Sequence, residues 1–350
     1  MDDRTNPPID LPGAIARLVD GQSLSRAEAR GVMNLVMTGD ASPAQIGALL
    51  VALRMKGETV EEIAGAAEAM RAAALRVDTS RRPVVDTCGT GGDGRGTLNI
   101  STAAALVAAG GGVTIAKHGN RAVSSRSGSA DVLEALGVRI DLRAEQISIC
   151  LDEVGIAFLF APILHPAMRH ALTPRREIRI RTLFNILGPL TNPAGAERQV
   201  LGVFAPHLAP LLARVLGELG SEHALVVHGA AGEDELSLAG ENLAIEMRAG
   251  QGGLCSLGVR GRDLGLAEEP DADALRGGDA AHNARWLAGL LDGAVTGPTR
   301  ETVILNAAAV FYVAGAAPDL TEGCARARDS IDSGAARRIL ARLRETSQKL

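Results

Sequence analysis

The sequence predicts an α/β protein: a small all-helical domain plus a larger α/β domain whose mainly parallel central sheet is flanked by helices. Three observations carry this reading. Residues 11 to 76 keep apolar side chains at helical spacing between capping signals. From Val84 onward, short apolar runs alternate with helix-length segments. Residues 279 to 345 return to helical patterning. The 350 residues suit one large or two medium domains.

The opening helices are marked by capping boxes at Ser25 with Glu28 and at Thr59 with Glu62. Ser42, Pro43 and Gln45 open a further helix, which Gly57 ends after Lys56. Ile46, Leu49, Leu50 and Leu53 form one apolar stripe, and Ile63, Ala67 and Met70 another. The first strand is Val84 and Val85, followed by a helix from Ser101 to Ala109 and a strand from Val113 to Ala116. A helix is expected over Asp131 to Leu136, a strand over Val138 to Ile140, a helix over about 144 to 154 and a strand over Ile156 to Phe160. Residues 163 to 190, rich in Pro, His and Arg, break this rhythm and read as an insertion. Val200 to Phe204 is strand-like, 207 to 219 helical, and "HALVVHG" a further strand.

Composition narrows the function classes. Hydrophobic residues make up 46% and aromatics only 2%, so the core must be built from Ala, Leu, Val and Ile. A formal charge of -5 argues against a general nucleic-acid partner. Cys88, Cys150, Cys255 and Cys324 lie far apart and form no metal-binding or disulfide pattern. No apolar run is long enough to span a membrane, and the acidic, proline-containing start is unlike a signal peptide, so a cytoplasmic location is expected.

Four stretches carry chemistry. In "VVDTCGTGGDGRGTLNIST" five glycines separate a strand from a helix, the layout of an anion-binding loop. It has neither Walker nor dinucleotide spacing. Asp93 inside it would be repelled by phosphate unless it serves ribose hydroxyls, an amine or a cation. In "AKHGNRAVSSRSGSAD", Lys117, His118 and Arg121 follow a strand, at the end where open parallel sheets bind ligands. The chain has three lysines against 33 arginines, so Lys117 hints at a need for a compact ammonium. The small-residue turn from Ser124 to Ser129 then gives a second anion-friendly loop, and two such loops suggest a ligand with two phosphate groups. The insertion combines His165, His170, Arg175 and Arg176 with Phe160, Leu164, Met168 and Phe184, which suits an aromatic or aliphatic carboxylate gripped by a guanidinium. Asp234 and Glu235 follow a strand and a glycine turn; a diphosphate arriving with Mg²⁺ needs such carboxylates.

"GTGGD", "NIST", "KHGNR", "SSRSGSAD", "RTLFNILGPLTNP" and "EDELSL", in that order over nearly the whole chain, resemble the anthranilate phosphoribosyltransferases, of the nucleoside-phosphorylase-like class. The resemblance implies phosphoribosyl transfer from phosphoribosyl diphosphate to the amine of anthranilate, releasing diphosphate, in tryptophan biosynthesis. It implies that Gly89, Thr90, Gly91, Gly92, Asp93, Thr97, Asn99, Ser101, Thr102, Lys117, Ser125, Ser127, Gly128 and Ser129 hold the diphosphate substrate. Gly89, His118, Asn120, His165, Arg175 and Pro189 match the anthranilate positions, with Arg175 at the carboxylate. Ser101, Asp234 and Glu235 match the magnesium positions, for about two Mg²⁺ ions per subunit. Asp93, Lys117 and Arg175 are the expected catalytic residues. The family fold further implies a homodimer formed through the helical domain, which would comprise residues 1–80 joined by the inserted helices of about 163–190. Residues 81–162 and 191–350 would form the α/β domain, with the active site at the hinge. Pro174 and Leu98 depart from the residues expected there, without removing a reacting group. A pyrimidine nucleoside phosphorylase shares the general architecture but needs no paired magnesium carboxylates.

Overall fold

The computed structural model describes residues 9–122, 126–267 and 272–350. Four helices open it: α1 (Leu11–Val19), α2 (Arg26–Thr38), α3 (Pro43–Lys56) and α4 (Val60–Ala73). The last three begin in reciprocal capping boxes, Ser25 with Glu28, Ser42 with Gln45 and Thr59 with Glu62. Each N-cap contributes about 1 kcal/mol to holding its helix. Glu62 does more than cap. It is buried and also accepts from the Leu24 amide and the Lys56 ammonium, both at 2.9 Å, so one carboxylate ties α4 to α3 and to the segment ahead of α2.

The alternating region supplies β1 (Val84–Asp86), α5 (Ile100–Gly110), β2 (Thr114–Gly119), α6 (Ser129–Ala135), α7 (Ala144–Val154) and β3 (Ile156–Phe160). The insertion follows as α8 (Ala161–Leu164), α9 (Arg169–Ile178) and α10 (Phe184–Leu187), with 3-10 turns at Pro166–Met168 and Gly188–Leu190. Then come β4 (Arg198–Gly202), α11 (Leu208–Glu218), β5 (His223–His228), β6 (Asn242–Arg248) and β7 (Leu254–Val259). The chain closes with α12 (Ala280–Leu291), α13 (Pro298–Val313), α14 (Leu320–Asp332) and α15 (Ala335–Lys349).

The seven strands form one sheet in the order β3-β2-β1-β4-β5-β6-β7. β1 to β5 are parallel, and β6 and β7 add an antiparallel hairpin at one edge. The strand order reverses between β1 and β4, the switch point outside whose carboxyl ends a ligand crevice forms. One apolar cluster fills the face covered by α5, α7, α13, α14 and α15. The other runs from α1–α4 through α11 onto β4, β5 and β6, and takes in Ala171, Leu183, Phe184, Ile186, Leu187 and Leu190 of the insertion. The insertion thus packs with the opening helices. α12 carries the single tryptophan, Trp286, whose buried indole N–H has no partner among the described residues.

Two readings need correction. Val138 to Ile140 is irregular rather than a strand: its apolar residues are buried, but the Arg139 amide donates to the Ser347 hydroxyl of α15 at 3.1 Å instead of to a neighbouring strand. The strand read as Val113 to Ala116 extends to Gly119, so Lys117 and His118 lie within β2 rather than after it. The hairpin β6–β7 was not foreseen from strand–helix alternation. No helix among the described residues is long and apolar enough to cross a membrane.

Candidate active site

The crevice at the switch point is lined by the segments that follow β1, β2, β4 and β5. The glycine loop after β1 turns through Gly91 and Gly92, at φ of 63° and 74°, a region that side chains avoid. Close approach also constrains it: a Cβ on Gly89 would lie 2.7 Å from a carboxylate oxygen of Asp234. The loop is anchored where the Thr90 amide donates to the Gly202 carbonyl at 2.8 Å and the Thr90 hydroxyl accepts from the Phe204 amide at 3.1 Å. Arg181, from the insertion, donates to the Gly92 carbonyl and lies over the Phe204 ring at 4.0 Å; Arg95 donates to the Ala231 carbonyl.

Two carboxylates reach across from the segment after β5. Asp234 accepts from the Gly91 amide at 2.7 Å, and Glu235 from the Ser101 amide in the first turn of α5 at 2.9 Å. Burial raises both carboxyl pKa values. Asp93 adds repulsion at Asp234, and Asp234 adds it at Glu235. Asp93 accepts from the Arg95 amide through Oδ1 at 3.1 Å, while its buried Oδ2 has no partner among the described residues. Lys117 is buried among these groups and donates to the Thr87 carbonyl at 3.2 Å, the Thr87 hydroxyl at 3.1 Å and the Ser101 hydroxyl at 3.4 Å. The hydroxyl of Thr102 is buried without a partner among the described residues.

Crowded, half-buried carboxylates and an orphaned carboxylate oxygen are what a hard divalent cation relieves, so these residues fit Mg²⁺. Among the described residues, however, no group of three or more His, Cys, Asp or Glu forms a metal-holding cluster. The remaining ligands must come from phosphate oxygens and water.

On the insertion side, His118 and His165 lie with ring centroids 5.1 Å apart. His118 Nδ1 is 3.1 Å from the Gly188 carbonyl, which can only accept, so Nδ1 carries the proton. The Nε2 atoms of both rings are buried without partners among the described residues. Burial pushes the His118 pKa down to about 3 and that of His165 to about 4, so both rings stay neutral at ordinary pH. The Arg175 guanidinium carbon lies 5.2 Å from the Phe184 ring centroid, in surroundings that lower its pKa by burial alone. Pro189 is buried in the turn after Gly188. Asn120 is exposed after β2, with its side-chain oxygen on the Arg121 amide at 2.8 Å.

The serine turn meets the glycine loop where the Asn99 side chain donates to the Ser127 carbonyl at 3.3 Å. Gly128 and Ser129 begin α6, with the Gly128 amide on Asp131 at 2.8 Å. Thr97 pairs in an isolated bridge with Arg276. Ser125 lies outside the described residues.

Three residues of this region escaped the sequence reading. Asp86 is fully buried at the end of β1, accepting from the His118 amide at 3.1 Å and the Asn192 side chain at 2.7 Å; burial pushes its pKa up to about 6. An acid ending an apolar strand was its only signal. Arg181 and Asn192 fall inside the quoted block "RTLFNILGPLTNP", but nothing in that block gave either residue a role.

Residues 81–337 match the a/b domain of a glycosyl transferase family, and residues 12–74 its helical bundle domain. An anthranilate phosphoribosyltransferase of Anaeromyxobacter dehalogenans is 57% identical over 330 residues, covering 94% of this chain and 96% of that one. Its counterpart in Symbiobacterium thermophilum is 52% identical over 340 residues, covering 97% and 98%. Among solved structures, the anthranilate phosphoribosyltransferase of Thermus thermophilus aligns with a TM-score of 0.90 at 47% identity, covering 96% of this chain and 99% of its own. The Saccharomyces cerevisiae enzyme in complex with phosphoribosyl diphosphate and Mg aligns at 0.89 with 28% identity, covering 97% and 98%. Identity of this extent over both parts of the fold means that the chain belongs to the anthranilate phosphoribosyltransferase family.

Proposed function

We propose that this chain transfers the phosphoribosyl group of phosphoribosyl diphosphate to the amine of anthranilate, giving N-(5-phosphoribosyl)anthranilate and diphosphate. The observation that carries this reading is the half-buried pair Asp234 and Glu235, set against the amides of the glycine loop and of α5. Amides and carboxylates together suit a phosphate ligand that arrives with a divalent cation.

In this reading the glycine loop and the serine turn bind the diphosphate, with Lys117 supplying compact positive charge. Asp234, Glu235 and the Ser101 hydroxyl would hold Mg²⁺, about two ions per subunit, and the metal would stabilise the charge of the departing diphosphate. The unpartnered Asp93 oxygen faces the ribose or the incoming amine. Arg175 grips the anthranilate carboxylate, and Nε2 of neutral His118, an acceptor, suits the amine. The aniline nitrogen is unprotonated at neutral pH, so no strong general base is needed. Catalysis then rests on positioning and electrostatic stabilisation of an oxocarbenium-like transition state.

The helical part, residues 1–80 with about 163–190, forms one side of a hinge in this reading, with 81–162 and 191–350 as the other. We place the protein in the cytoplasm and its homodimer contact on the helical part. There Val19 and Met55, 71% and 83% exposed, end two helices that pack together.

The test is anthranilate fluorescence in the presence of phosphoribosyl diphosphate and Mg²⁺. Loss of signal that depends on both additions is expected; a stable signal with folded protein would overturn the proposal. Arg175→Ala should raise KM for anthranilate by at least about tenfold with a smaller effect on the diphosphate substrate, since a charge-assisted carboxylate contact is lost.

A further inference from the structure

Asn283 stands in the first turn of α12, 1% exposed, and its side-chain amide is held at both ends. The Gly278 amide donates to Asn283 Oδ1 at 2.8 Å, and a backbone N–H can only donate, which identifies that end as the oxygen. The other end is therefore the NH₂, and it donates to Asn99 Oδ1 at 2.8 Å. Asn99 is left with its own NH₂ turned to the Ser127 carbonyl. Although Asn99 occupies the N-cap of α5, its side chain makes no capping bond and is committed to this relay. The segment ahead of α12 is also joined to the glycine loop. The Gly277 amide donates to the Gly96 carbonyl and the Leu98 amide to the Leu275 carbonyl, both at 2.8 Å. A Cβ on Gly277 would meet the Thr97 carbonyl oxygen at 2.6 Å.

We propose that Asn283 is a positioning residue for the diphosphate substrate: it fixes the polarity of the Asn99 amide. A flipped Asn99 would set its NH₂ against the NH₂ of Asn283, two donors with no acceptor between them. The relay therefore keeps a donor, rather than an acceptor oxygen, turned to the junction of the glycine loop and the serine turn. An anionic ligand requires that polarity. The inference rests on the proposed function, which places Asn99 at the diphosphate substrate.

Steady-state kinetics of Asn283→Asp, Asn283→Ala, Asn99→Ala and the Asn283→Asp/Asn99→Ala double variant test it. A carboxylate at 283 still accepts from Gly278 but attracts the NH₂ of Asn99, turning that amide over. Asn283→Asp should therefore raise KM for phosphoribosyl diphosphate about tenfold or more, and Asn283→Ala by less. KM for anthranilate should stay within about twofold in both. A role in packing alone predicts the reverse order, because Asp fills the same space and Ala leaves a cavity. The double variant should be no worse than Asn99→Ala, because the two residues act as one unit. A milder Asp than Ala, a parallel rise in both KM values, or additive losses in the double variant would overturn the inference. If Asn283→Ala fails to fold, the comparison of Asn283→Asp with the double variant still decides. An inactive parent chain overturns the functional reading and this inference together. An active parent matched by Asn283→Asp overturns this inference alone.

Discussion

His118 and His165 show how burial acts on single residues near the crevice. An unfolded histidine takes up a proton as pH falls past about 6.5. The folded rings wait until about 3 and about 4, so between these values the unfolded chain binds more protons and stability falls with pH. Asp86 works in the opposite direction. Its folded pKa of about 6 exceeds the ordinary carboxyl value, so the folded chain takes up that proton first and gains stability as pH falls. His118→Asn should flatten the loss of stability between about pH 7 and about pH 5, and Asp86→Asn should steepen it. Urea denaturation at both pH values reads each slope, and slopes unchanged from the parent would refute the assignment. Asp93 belongs to the same scale: Asp93→Asn keeps the acceptor for the Arg95 amide but removes the charge of the unpartnered oxygen. Turnover should fall about 100-fold with the unfolding midpoint unchanged. The types and places of Asp93, Lys117 and Arg175 made them legible in the sequence. The roles of Asp86 and Asn283 were not, because a lone polar residue in a strand or helix has no pattern until the fold supplies its partner.

Among the elements, β4 meets the segment after β5 more tightly than any side chain would permit. A Cβ on Gly202 would lie 1.4 Å from the Asp234 carbonyl oxygen. Gly202→Ala must therefore push that segment away, and with it the carboxylates that reach Gly91 and Ser101. A loss of about 3 kcal/mol in stability and a sharp fall in turnover are expected, measured by denaturation and by the fluorescence assay. Helix starts were easy to read because capping boxes are local: Ser25, Ser42 and Thr59 all cap as their spacing predicts. Strands were harder, because a strand is defined by its neighbour. The alternation at Val138 to Ile140 is satisfied by α15 rather than by a ladder. The β6–β7 pair, with Glu246 buried beside His223 and Arg248, is an antiparallel hairpin that strand–helix alternation does not announce.

For the molecule as a whole, the apolar cluster around α1–α4 does not stop at the opening helices but runs through α11 onto the sheet. The same apolar packing thus backs β4 and β5, whose carboxyl ends border the candidate site. The exposed Met55 tests the proposed assembly: Met55→Glu should lower the sedimentation coefficient towards that of a monomer without altering the far-ultraviolet dichroism. An unchanged coefficient would move the contact elsewhere. The division into helical and α/β parts was legible because each has its own hydrophobic period, whereas the insertion's place beside α1–α4 depends on contacts distant in sequence.

The single tryptophan gives the molecule a native optical probe. Trp286 lies one turn beyond Asn283 on α12, partly buried, on the helix that is hydrogen-bonded to Asn99. Its emission therefore originates from one known point, one helical turn from the residue that hydrogen-bonds Asn99, and with only one tyrosine in the chain there is little competing signal. Changes around that helix on adding either substrate can be followed by stopped-flow spectroscopy without a label, and energy transfer to anthranilate would time the arrival of that substrate.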